Sequence, residues 1–196
     1  MAAKRQITRA DILAPDLYAK DRVALKKQIT EIKRNRRIGV GPIATFYFES
    51  YDTMWHQIHE MLHIERGGET QIAEELEAYN PLIPQGDDLY ATVMFEIPDA
   101  GRRAALLGQL GGAENKMYIS VGGERANGIP DPTRENTSPE GKASSVQFVR
   151  FPFTADQIKK FRDPDVQVLC GIDHPHYGHM AIISGAVREA LAADFA

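Results

Sequence analysis

Apolar residues recur along this chain with two periods, about 3.6 and 2, and the places where one gives way to the other set out helices at both ends with strands between them. Tyr51, Met54, Trp55, Ile58, Met61 and Leu62 fall at helical spacing, so a helix is expected over Tyr51 to Arg66, stopped by Gly67 and Gly68. A preceding helix is expected from about Asp16 to Arg34, with Pro15 in its first turn and Lys33 and Arg34 at the end where the dipole favours positive charge. A following one spans about Glu69 to Ala78. Period-two alternation appears in RIGVGPIATFYFES (37–50), where Thr45, Tyr47 and Glu49 alternate with Ala44, Phe46 and Phe48, and a Gly-Pro break precedes them. It returns in TVMFEI (92–97), KMYISV (116–121), SSVQFVRFPF (144–153) and VQVLCGI (166–172).

Between these strands the pattern predicts a helix over about Ala100 to Leu110 and a short one opened by the capping box of Thr154 and Gln157 and closed at Asp163-Pro164. A last helix is expected from Met180 to Ala192. About five strands with irregularly spaced helices predict one α+β domain over residues 1–196, an antiparallel or mixed sheet covered by helices. Residues 122–145, rich in Gly, Pro, Ser and charge, form a long polar loop of the kind that is either a functional lid or disordered.

A length of 196 residues suffices for one core, and a net charge of -4 gives no footprint for nucleic acid. No stretch reaches membrane-spanning length, and the basic N-terminus has no apolar run behind it, so the cytoplasm is the expected compartment. The single cysteine, Cys170, excludes an intramolecular disulfide and reads as a small buried hydrophobe. The basic run KRNRR (33–37) reads first as a solvated helix end.

Two histidine clusters carry candidate chemistry. In the first, His59, Glu60 and His63 spell HExxH, the zinc-protease signature. On a helical wheel centred on Ile58, however, His56, His59 and His63 lie roughly 100–160° from the apolar stripe, on a face predicted to be solvated. Glu65 follows where an apolar residue is expected, and the nearby downstream glutamates are too close for a separate third-ligand helix. A metallopeptidase is therefore the weakest reading, although His59 and His63, one turn apart, suit a surface metal. Glu65 itself falls about 20° from the stripe centre, where a carboxylate needs a partner, with Arg36, Arg37 and Arg150 as candidates by type. The second cluster, GIDHPHYGHM (171–180), places His174, His176 and His179 with Asp173 at an expected strand-to-helix junction, a donor set suited to iron, zinc or manganese.

RRIGVGPIATFYFES, QIHEMLHIER, EELEAYNPLIP, KASSVQFVRF and DHPHYGH together resemble the bacterial domain-of-unknown-function family number three-five-zero-one over nearly the whole chain. The family has no established activity. The resemblance implies a redox or oxidative-stress setting, because members are often encoded near rubrerythrin-like and iron-sulfur proteins. The family's pattern has Gln and Arg where this chain has His59 and His63, whereas Glu60, Glu65, Arg66, Asn80 and HPHYGH match. Two functions follow. The first is a protein that binds a divalent metal or small anion, with His174, His176 and His179 as metal ligands and Glu65, Glu60 and Arg66 as candidate catalytic groups. The second is a non-catalytic partner of a rubrerythrin-like or iron-sulfur protein, docking through KRNRR and the 122–145 loop.

Overall fold

The computed structural model describes residues 4–196. Its helices are α1 (Pro15–Arg34), α2 (Tyr51–Glu65), α3 (Gly68–Tyr79), α4 (Ala100–Leu107), α5 (Ala155–Arg162) and α6 (Gly185–Ala192). Its strands are β1 (Arg37–Val40), β2 (Ala44–Phe48), β3 (Asp88–Phe95), β4 (Met117–Val121), β5 (Glu124–Asn127), β6 (Ile129–Pro130), β7 (Val146–Pro152), β8 (Val168–His174) and β9 (Tyr177–Ile182). Every pairing is antiparallel. The α+β expectation holds, but the strands form two sheets, ordered β1-β2-β3-β7-β6 and β5-β4-β8-β9. Alternation reveals which face of a strand is buried, not which sheet the strand joins.

The two sheets enclose the main core. Phe46, Phe48, Leu89, Val93 and Phe151 of the first meet Ile119, Val121, Val168 and Cys170 of the second, all 0–1 % exposed. Full burial of such side chains stabilises by about 1.5–3 kcal/mol each. Cys170 is the buried hydrophobe the sequence predicts, and burial pushes its thiol well above the usual range. On the other face of the first sheet, α2 and α3 lie over a second cluster containing Ile7, Met54, Ile58, Ile72, Leu82 and Tyr90. α1 then packs along α2. Among the described residues no helix is long and apolar enough to cross a membrane.

Two predicted elements change identity. The run 37–50 folds back at Gly41, whose φ of 70° suits a turn, to give the hairpin of β1 and β2 with Val40 opposite Ala44. The segment expected to begin the last helix is instead β9, which pairs with β8 from His174–Tyr177 to Leu169–Ile182. The HPHY stretch is therefore a hairpin tip, and helix begins only at Gly185. The predicted capping box of α5 forms, with Gln157 N–H donating to Thr154 at 3.2 Å and Thr154 N–H to Gln157 at 3.0 Å. The 122–145 segment carries β5 and β6 and is tied down further on: the Asn136 amide donates to the carbonyls of Asp131 and Arg134, and Thr137 bonds the Glu114 carboxylate.

Tyr177 joins the two sheets. Its hydroxyl accepts from the amides of Ile43 and Ala44, both at 3.1 Å, and donates to the Val40 carbonyl at 2.7 Å, which uses all its hydrogen-bonding capacity. A Cβ on Gly41 would lie 2.5 Å from the His179 ring, so glycine is required there by space as well as by φ. Tyr177→Phe keeps the ring and leaves these buried backbone groups unpaired. It should lower unfolding free energy by about 1–3 kcal/mol in urea denaturation with little change in m-value; an unchanged midpoint would show that the hydroxyl does not hold the sheets together.

Candidate ligand cavity beside α2

α2 is buried on two flanks. Met54 and Ile58 face the sheet, as the wheel predicts, but His56 and His59 are 8 % and 2 % exposed rather than solvated. A wheel drawn for one helix does not register α1, which covers this flank. His59 Nε2 accepts the Leu13 amide at 3.0 Å and Nδ1 faces the Trp55 carbonyl at 2.7 Å, which fixes a neutral ring protonated at Nδ1. Neither nitrogen has a free lone pair for a metal. The Glu60 carboxylate is engaged by the Arg22 fork at 2.8 Å to each oxygen and by the Tyr18 hydroxyl at 2.7 Å. Glu60 thus bonds α2 to α1, and His59 bonds α2 to the segment just before α1. His56 is there too, with Nε2 buried and unpartnered.

Glu65 departs from expectation. It is exposed at the end of α2 and accepts only from Gln71 Nε2, at 2.9 Å. The apolar stripe loses its cover along this last turn, where Leu62 is only half-buried and Glu65, the next stripe position, is exposed. The three arginines proposed as its partners lie elsewhere: Arg36 is buried with Asp194, Arg150 approaches Asp88 at 3.6 Å, and Arg37 is exposed on β1. Lys33 faces inward and Arg34 pairs with Glu31, so KRNRR is divided among separate environments rather than forming one basic surface. Asn80 pins the N-terminal segment, bonding the Ile7 amide at 2.7 Å and its carbonyl at 2.9 Å.

The second cluster does not converge. His174 is buried, with Nδ1 accepting the His176 amide at 3.2 Å and Nε2 facing the Gly111 carbonyl at 3.3 Å. His176 and His179 are exposed, the His179 ring resting against Tyr177 with centroids 4.5 Å apart. Asp173 is paired to Arg125 at 2.9 Å. Among the described residues no three His, Cys, Asp or Glu side chains are grouped so as to hold a metal ion. The two histidine clusters sit on different layers, one on α2 and the other in the second sheet.

What the structure does assemble is a cavity of about 630 Å³ between the N-terminal segment, the start of α1, α2 and α3. Leu13, Tyr18, Leu62 and Ile72 give it apolar walls; His59, His63 and Arg66 are its polar groups on α2, and Asp16 lines it from α1. Arg66, the C-cap of α2, has φ 56°, the only positive φ at a non-glycine among the described residues. That conformation costs a non-glycine residue about 1 kcal/mol or more and turns the chain directly into α3. Gly67 brings no side chain to cap α3, and Gly68 lines the same cavity. Arg9 also lines it, held by Glu69 at 2.8 and 2.5 Å.

The family model described as protein of unknown function (DUF3501) matches residues 6–195. The chain belongs to this family. No curated protein matches it. A crystal structure of a novel protein of unknown function from Burkholderia pseudomallei K96243 is similar, with a TM-score of 0.90 and 34% identity over 97% of this chain and 100% of that one. The DUF3501 sequence resemblance and the fold thus agree.

The α1–α2 interface generates a pH dependence. Arg22 and, after the opposing effect of burial, Tyr18 hold Glu60 down from 4.5 to about 2. Stability from this contact is complete above pH 4.5 and is lost as pH falls towards 2. Glu60→Gln should cost about 1–2 kcal/mol at neutral pH and flatten the urea-midpoint profile across that acid window; a mutant profile parallel to wild type would refute the assignment.

Proposed function

We propose that this DUF3501 protein binds a small amphipathic anion in the cavity between its N-terminal segment, α2 and α3. The observation that carries the reading is Arg66, an exposed guanidinium without a hydrogen-bond partner among the described residues, held in a strained conformation at the cavity wall. A strained residue persists when the surrounding structure requires it, and strain of this kind clusters at ligand sites. His63 and the glycine-capped start of α3 lie on the same cavity, so its polar end offers N–H donors and the positive end of a helix dipole. The volume suits a ligand of drug-like or metabolite size.

This keeps the anion-binding expectation and moves it from the histidine-rich hairpin to α2. The proposed compartment is the cytoplasm, where a lone thiol needs no disulfide partner. A redox setting and a rubrerythrin-like or iron-sulfur partner are suggested by the family resemblance alone, and no geometric feature adds to them.

The single tryptophan, Trp55, stacks 4.0 Å from His59 beside the cavity and provides a fluorescence signal. Titration with octanoate should saturate, whereas octanol and octylamine should bind at least about tenfold more weakly. Arg66→Gly retains the left-handed backbone and removes the charge. It should weaken octanoate by about 10-fold or more, matching the 1.5–3 kcal/mol of hydrogen bonds to charged groups, without lowering stability. Equal binding by the variant, or by octanol, would defeat the reading.

A further inference from the structure

On the other side of α2, between that helix and the outer face of the first sheet, lies a separate cavity of about 440 Å³. Its floor follows from strand alternation. Tyr47 and Glu49 project outward along β2 and its continuation, Thr92 and Met94 do so from β3, and Phe148 from β7. Glu49 is 8 % exposed. One of its oxygens accepts from Thr53 Oγ1 at 2.6 Å and the other from Thr92 Oγ1 at 2.7 Å. The Thr53 hydroxyl is itself fixed by the Ser50 amide at 2.8 Å in the cap of α2, so helix and sheet both aim this carboxylate.

No described cation pairs with it. Arg36 reaches the Glu49 backbone carbonyl rather than the carboxylate, and its remaining donors go to the Phe48 and Ala190 carbonyls and to Asp194. Each carboxylate oxygen keeps an acceptor site beyond the one used by threonine. A nearly buried carboxylate without a cation is costly, and a donor from a ligand offsets that cost. The same cavity is lined by Lys33, half-buried in the last turn of α1 and in no ion pair, and by the amide of Gln57 and the hydroxyl of Tyr79, neither of which has a bonded partner among the described residues. Met54, Met94 and Phe148 supply apolar wall between these polar groups.

The geometry points to a second binding site for a small zwitterion of the amino-acid class, its ammonium on Glu49, its carboxylate towards Lys33 and Gln57, and its apolar side chain against Met54, Met94 and Phe148. A purely cationic ligand leaves Lys33 opposed by like charge, and a purely anionic one leaves Glu49 without a donor. A ligand carrying both groups satisfies both, and hydrogen bonds to two charged groups give the site its selectivity.

Methionine methyl NMR reads this site directly, because among the described residues Met54 and Met94 are the methionines that line it. L-Methionine, L-leucine and L-phenylalanine are titrated beside their N-acetyl and methyl-ester forms. At least one free amino acid should shift the Met54 and Met94 methyls saturably and leave Met180 unmoved. Acetylation, esterification and Glu49→Gln should each weaken binding by about tenfold or more, the size of one lost charged hydrogen bond. Met94→Trp, which fills the cavity from its apolar wall and leaves Glu49 and Lys33 in place, should abolish the response while the fold is kept. Absence of a saturable shift for all three amino acids at millimolar concentration would overturn the site. So would an N-acetyl or ester form that binds as well as the free amino acid, or a folded Met94→Trp protein that still binds.

Discussion

The placement of α2 depends on Arg36. This buried guanidinium stands between α1 and β1, donates to the carbonyls of Phe48 and Glu49 where β2 ends, and reaches Asp194 and the Ala190 carbonyl at the end of α6. An ion pair in such a site is stabilising only when its donors are all employed, and here backbone carbonyls take those that Asp194 does not. Burial drives the Asp194 carboxyl upward in pKa and Arg36 opposes it. Only the N-cap Ser50 separates Glu49 from the first residue of α2, so this cluster sets the point from which α2 crosses the sheet. Both cavities have α2 as a wall, and their shapes follow from that anchor.

Much of the fold was legible because its signals are local. The capping box of Thr154 and Gln157, the proline at the start of α1 and the glycine stop after α2 act within one turn of chain, and the structure places those helix ends within a residue or two of expectation. Errors arose where a distant element decides the outcome. Gly41 and Pro42 could precede a strand or make its turn; pairing of Val40 with Ala44, bridged by Tyr177 from the other sheet, makes it a turn. Met180 and Ile182 resemble the start of a helix until β8 is beside them.

The candidate site was legible in part for the same reason. Sequence marks Arg66 and His63 as unusual but cannot show that Leu13 and Tyr18 close a cavity over them. Glu49 appeared only as an outward position on a strand, because neither Thr53, Thr92 nor the empty space above it is recorded in that alternation. Wheel angle alone puts Glu65 on the buried stripe; a helix stripe is buried only as far as its partner extends, and cover thins through the last turn from half-buried Leu62 to exposed Glu65.

HExxH is a metal motif when two imidazoles keep a lone pair directed at one point and the glutamate faces a water. In this chain His59 uses one nitrogen on Leu13 and the other on Trp55, and Glu60 is engaged by Arg22 at both oxygens and by Tyr18. Glu60 therefore fastens α1 to α2, and His59 fastens the segment that leads into α1. Burial lowers the pKa of both His56 and His59. A histidine kept neutral by burial favours an opened state as pH falls below its ordinary value near 6.5, since only the opened state takes up the proton freely. The segment held down by His59 is the one carrying Leu13, so this wall of the larger cavity is fastened by the pairing that weakens in mild acid. Histidine at this position gives the contact between α2 and the segment before α1 a dependence on pH that an uncharged amide in its place would not.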